Sequence, residues 1–154
     1  MVQTHHVYHL PVSKEDSARA VSDQRVHSGF LEHAIDFAVP IGTPIFAALD
    51  GEVIDIKQDS DRGGNDPKYV PDTNYVSIDH GDGEFSEYMH LKKDSVLVKA
   101  GDQISAGQKI ALSGNTGYST EPHLHFHVAR IVDTPPGWET LQVRFKEDLK
   151  IYRP

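Results

Sequence analysis

Apolar and polar residues alternate along several short stretches of this chain, with the period of strands rather than of helices. The clearest stretch is Pro122-His123-Leu124-His125-Phe126-His127-Val128. Its pleat sends Leu124, Phe126 and Val128 toward a core and His123, His125 and His127 to the opposite face. Glu84-Phe85-Ser86-Glu87-Tyr88-Met89-His90-Leu91 alternates too, which predicts Phe85, Met89 and Leu91 inside and Ser86, Tyr88 and His90 outside. In His33-Ala34-Ile35-Asp36-Phe37-Ala38 the core pair is Ile35 and Phe37. Asp36 faces away from them, and an aspartate set among strand apolars needs a partner.

Turn signals separate these runs at short intervals: Gly42-Thr43-Pro44, Asp50-Gly51, Gly81-Asp82-Gly83, Gly101-Asp102 and Gly114-Asn115-Thr116-Gly117. The pattern predicts an all-β, mostly antiparallel sandwich or barrel-like fold, with strands near 34–37, 45–48, 52–56, 75–79, 84–90, 109–113 and 123–131. Only 13–22 and 138–145 offer short helix candidates. The polar segment 58–73 is too long for a hairpin turn, so it is a candidate wall for a cleft.

With 154 residues the chain has the size of one domain. We divide it into an N-terminal extension (1–26), a central domain (27–132) and a C-terminal extension (133–154). A formal charge of −8 without a lysine or arginine cluster argues against nucleic acid and anionic membranes as partners. No apolar run approaches the roughly 18 residues of a membrane helix. Met1 to Pro11 lacks the basic segment and apolar run of a secretory leader. Oligomeric state is not legible.

There is no cysteine among the residues, so a metal site would rest on nitrogen and oxygen, and ten histidines supply the nitrogen. His123 and His125 on one strand face, His90 and Asp36 form a donor set that suits zinc, which takes imidazole and carboxylate at roughly 2.0–2.2 Å and keeps one position open when catalytic. His127 reads as a polar outer-face residue. His5, His6 and His9 read as members of a terminal segment and His80 as a hairpin residue, while Tyr118 and Asn74 are candidates for lining a groove.

Taken in order, Ala34-Ile35-Asp36-Phe37, Gly42-Thr43-Pro44-Ile45, Asp50-Gly51-Glu52-Val53, Tyr88-Met89-His90-Leu91, Gly101-Asp102-Gln103-Ile104 and Ser113 to Thr120 with Pro122-His123-Leu124-His125-Phe126 resemble the lysostaphin-type (LytM-like) zinc endopeptidases. The resemblance covers about residues 28–130. It implies an antiparallel β fold crossed by a narrow groove and cleavage of peptide cross-links in peptidoglycan, hence an envelope or extracellular location. By position, Asp36 and His125 match the family's zinc ligands, and His90 and His123 its two unligated histidines, the expected general base and oxyanion stabiliser.

The remaining ligand departs from the pattern. The family's histidine stands four residues before the aspartate, and here that position is Glu32. His33, three before Asp36, would face the other way unless a bulge re-aims it. His27, in His27-Ser28-Gly29, would need the chain to turn back at Gly29; it is favoured because some family members share a His-x-Gly upstream of Ala-Ile-Asp-Phe. Two other readings stand beside an active endopeptidase: an inactive relative that binds peptidoglycan or activates another hydrolase, and a zinc hydrolase of another peptide, which the negative charge suits.

Overall fold

The computed structural model describes residues 2–154 and contains fourteen strands: β1 (Gln3–Tyr8), β2 (Ala20–Val21), β3 (Ile35–Phe37), β4 (Pro44–Phe46), β5 (Gly51–Lys57), β6 (Gly63–Gly64), β7 (Tyr75–Gly81), β8 (Glu84–Met89), β9 (Gln103–Ile104), β10 (Lys109–Leu112), β11 (Gly117–Tyr118), β12 (Leu124–Ile131), β13 (Trp138–Phe145) and β14 (Ile151–Tyr152). The helical segments among the described residues are short 3-10 turns at Asp16–Arg19, Gly29–Leu31 and Pro67–Asp72. The all-β expectation holds.

One large sheet runs in the order β14-β2-β3-β12-β8-β7-β5-β9. Strand β12 is its axis. One edge of β12 pairs antiparallel with β8, while its other edge is shared, residues 124–126 pairing with β3 and residues 128–131 with β13. Leu124, Phe126 and Val128 are fully buried, as their alternation predicts. Burial of each such side chain contributes about 1.5–3 kcal/mol. They pack with Phe37, Ile45, Ile78 and Leu91 in a single core. Two small pairings, β10 with β4 and β11 with β6, complete the strands.

The register places the chemistry. His125 pairs with Asp36 on one side and Met89 on the other, and His127 pairs with Glu87, so these side chains share the sheet face opposite the core.

Three local expectations are corrected. Segment 138–145 is strand β13, because its backbone pairs with β12 on one side and β1 on the other, with Leu141 buried and Trp138, Val143 and Phe145 half-buried. In β8 the inward face is Glu84, Ser86 and Tyr88, with Phe85, Glu87 and Met89 half-buried on the other face. Tyr88 is polar only at its tip, and its hydroxyl accepts from the Ala48 N–H at 2.9 Å, so the ring can go inside. His127, expected on an outer surface, is fully buried.

Residues Gln3–Tyr8 join the strands as well. Strand β1 runs parallel to β13, with an irregular register between Gln3 and Val7. The buried Glu84 carboxylate accepts from the backbone N–H groups of His5 and His6 and from the Tyr8 hydroxyl, the last two at 3.3 and 3.0 Å. His80, at the end of β7, bonds the Asp50 carbonyl and the Ser86 hydroxyl.

Candidate metal centre

Asp36 and His125 meet because their strands pair; His27 reaches them by a different route. The chain leaves His27 through extended Ser28, takes a left-handed conformation at Gly29 (φ +60°) and makes the 3-10 turn Gly29–Leu31 before entering β3. His27 Nε2 thereby lies 2.8 Å from Asp36 Oδ2. One donor atom each from His27, Asp36 and His125 lie within 4.8 Å of one another. Glu32 and His33 are not brought to this place. Glu32 is exposed beside Gln24, and His33 lines a pocket with Ile35, Val143 and Leu149.

The donor set fits a divalent metal. Asp36 Oδ1 is buried without a hydrogen-bond donor, although His125 Nδ1 and His123 Nε2 stand 3.4 and 3.6 Å away. A buried carboxylate oxygen without a donor is costly, and a cation between these groups would satisfy it. Burial would raise the Asp36 pKa, but the approach of His125 and His27 outweighs it and holds the carboxyl well below its usual range. Burial pushes the His125 imidazole down to about 4, leaving it neutral and able to ligate.

His90 and His123 lie beside the three, their ring centroids 4.6 Å apart. His90 follows β8 with φ +68°, a left-handed conformation rare outside glycine, which swings its ring out of the pleat and onto the site face. Its Nδ1–H donates to the Thr116 carbonyl at 2.6 Å, and His123 Nδ1–H donates to the Glu121 carbonyl at 2.8 Å. Each ring therefore has Nε2 as its free atom. Burial, reinforced by repulsion from His123 and His125, lowers the His90 pKa to about 3, so at neutral pH the ring is uncharged, protonated at Nδ1 and bare at Nε2.

A wall rises along this site where β11 pairs in parallel with β6, joining the Gly114 to Thr120 loop to segment 58–73. The pairing needs glycine: a Cβ on Gly63 would lie 2.3 Å from the Asn115 carbonyl oxygen, and Gly117 combines φ +84° with a Cβ position 2.1 Å from Thr73 Oγ1. Tyr118 is exposed on this wall. Asn74 does not line the groove. Fully buried, it accepts from Ser60 N and donates to Ser60 O and Leu91 O, fastening the wall to the strand end that carries His90.

Of two further residues that matter here, Glu87 was not singled out from the sequence and His127 was read only as an outer-face residue. Glu87 and His127 form a hydrogen-bonded line behind His125, visible only once β8 and β12 are in register.

Residues 31–135 match Peptidase family M23. Peptidoglycan DD-endopeptidase ShyA of Vibrio cholerae is 44% identical over 93 residues, 60% of this chain and 19% of its own length. Among solved structures, a zinc-containing peptidase from Vibrio cholerae superposes with a TM-score of 0.59 at 32% identity, covering 94% of this chain and 41% of its own. The catalytic domain of lysostaphin from Staphylococcus simulans gives 0.54 at 27% identity, covering 90% of this chain and 88% of its own. The chain spans only 18% to 28% of the length of the curated relatives it matches. The match covers both strands that carry Asp36 and His125, the turn at His90 and the whole glycine wall, and on it the chain belongs to Peptidase family M23.

Proposed function

We propose that this domain is a zinc endopeptidase that hydrolyses peptide bonds in peptidoglycan cross-links and works in the cell envelope or outside it. The observation that carries the reading is the convergence of His27, Asp36 and His125 around a buried carboxylate oxygen without a donor, directly beside the His90–His123 pair. His27, Asp36 and His125 would hold the metal. A zinc ion there supplies Lewis acidity, lowering the pKa of a water toward roughly 7 and polarising the scissile carbonyl.

The chain's own groups do the rest. His90 and His123, anchored at Nδ1, present Nε2 to the reacting atoms. One neutral ring takes the proton of the attacking water at Nε2 and returns it to the leaving amine as the C–N bond breaks; the other, with a proton drawn from solvent onto its Nε2, donates to the developing oxyanion. The wall of β6 and β11 confines an extended peptide along the site. The peptidoglycan substrate is supported by ShyA, a peptidoglycan DD-endopeptidase, and by the likeness to the lysostaphin catalytic domain.

Elemental analysis of the purified protein, with digestion of purified peptidoglycan in parallel, tests the proposal. Near one zinc per chain and soluble muropeptide release are expected from the parent, and neither from His27→Ala. A parent that holds zinc but leaves peptidoglycan intact would move the reading to another peptide substrate, and one that neither holds zinc nor cuts would make it a binding domain.

A further inference from the structure

Behind His125 runs a buried line of side chains that the proposed chemistry does not use. His125 Nε2 lies 2.8 Å from His127 Nδ1, His127 Nε2 lies 3.0 Å from Glu87 Oε1, and Glu87 Oε2 accepts from the Ser77 hydroxyl. We propose that Glu87, acting through His127, holds His125 in the tautomer and ring orientation that turn a bare Nδ1 toward Asp36, so that Glu87 and His127 are positioning residues for the metal centre. The inference rests on the zinc reading of that centre.

The proton count gives the line a direction. A ligating nitrogen carries no proton, so the His125 proton sits on Nε2 and is donated to His127 Nδ1. His127 must then carry its own proton on Nε2, where it needs an acceptor, and Glu87 Oε1 is that acceptor. In the opposite arrangement His127 would turn a bare Nε2 onto a carboxylate oxygen at 3.0 Å, two acceptors face to face. With Ser77 donating to its second oxygen, Glu87 breaks the equivalence of the two arrangements. A single carboxylate thus sets the tautomers of two rings.

The surroundings preserve that effect. His127 is fully buried, and Trp138 stacks on it with centroids 5.3 Å apart and planes at 22°. Phe30, from the turn between His27 and Asp36, meets Trp138 edge-on at 4.9 Å. Water is thus kept from a line whose bonds are stronger in a low dielectric. The same turn that delivers one proposed ligand shields the support of another.

The experiment has two readouts. Long-range 1H–15N correlation spectra of histidine-labelled protein, metal-free and zinc-loaded, report which ring nitrogen is protonated; Nε2 is expected for both His125 and His127 in each form. Zinc dissociation constants by chelator competition are then compared for His127→Leu, His127→Gln, Glu87→Leu and the parent. His127→Gln can still accept from His125 and donate to Glu87 and should stay within a few-fold of the parent, while the leucine variants weaken binding about 10- to 100-fold. Protonation of His125 on Nδ1 in the metal-free parent would overturn the proposal, as would folded leucine variants with parental affinity or equal losses in His127→Gln and His127→Leu. If the leucine variants do not fold, the parent's tautomers decide. A parent without zinc would sink the proposed function alone, because the metal-free tautomers still test the line.

Discussion

His27 Nε2 and Asp36 Oδ2 are 2.8 Å apart although nine positions separate the two residues, and the left-handed Gly29 between them is what reverses the chain. A Cβ on Gly29 would meet no neighbour, so the conformation alone is at stake. Gly29→Ala should therefore leave the sheet intact and misplace His27. The strain of about 1 kcal/mol corresponds to roughly a fivefold weaker zinc affinity, read by chelator competition with the far-ultraviolet dichroism unchanged.

His123 and His125, two positions apart, have different roles in the proposed chemistry. His125→Ala should lose both zinc and hydrolysis, and added zinc should no longer raise its Tm. His123→Ala should keep zinc and its Tm increment while hydrolysis falls by about 100-fold or more. Equal metal loss in the two variants would show that the roles are not divided in this way.

Acid should weaken the metal-free fold over a definite range. Burial lowers the His90 and His125 pKa values from 6.5 to about 3 and about 4. Below pH 6.5 the unfolded chain therefore takes up protons that the folded chain refuses, so stability falls as pH falls, by up to about 1.4 kcal/mol per pH unit for each ring. The loss should be steepest between pH 6.5 and 4. Urea titrations of chelator-treated protein at half-unit steps would show it, and a flat profile there would contradict the burial of the two rings.

Asn74 offers a test of the wall. Asn74→Ala leaves the Ser60 amide and carbonyl without their side-chain partner and takes one of two side-chain donors from the Leu91 carbonyl, at a cost of about 3 kcal/mol. The expected result is a lower Tm and reduced hydrolysis with zinc still bound, measured by calorimetry and elemental analysis on the same preparation.

What could be read before the fold was known follows the range of the interactions. Strand β12 and its split into core and site faces are local, written in the alternation from His123 to Val128, and so are the turns that bound the strands. Strand β8 misled because its inward face is Glu84, Ser86 and Tyr88: distant Tyr8 and Ala48 satisfy the first and last, and Ser86 bonds the buried Tyr88 hydroxyl two residues on. The strand β13 was hidden for the same reason: its pattern makes sense only between β12 and β1. Asp36, His90, His123 and His125 could be proposed from motifs. The approach of His27 was an open choice among three residues until the turn at Gly29 was seen. Glu87 could not be found at all, because nothing in the spacing of Glu87 and His127, forty positions apart, announces a contact.

Glu84 has a consequence for how this protein behaves at high concentration. Strand β1 is the last strand beyond β13, and an outermost strand offers free amide groups onto which another chain can add. The irregular register turns the amides of His5 and His6 onto one internal carboxylate, so that two of those groups are already spoken for. The carboxylate thereby fastens β1 to the interior and leaves two fewer backbone donors unpaired on that strand.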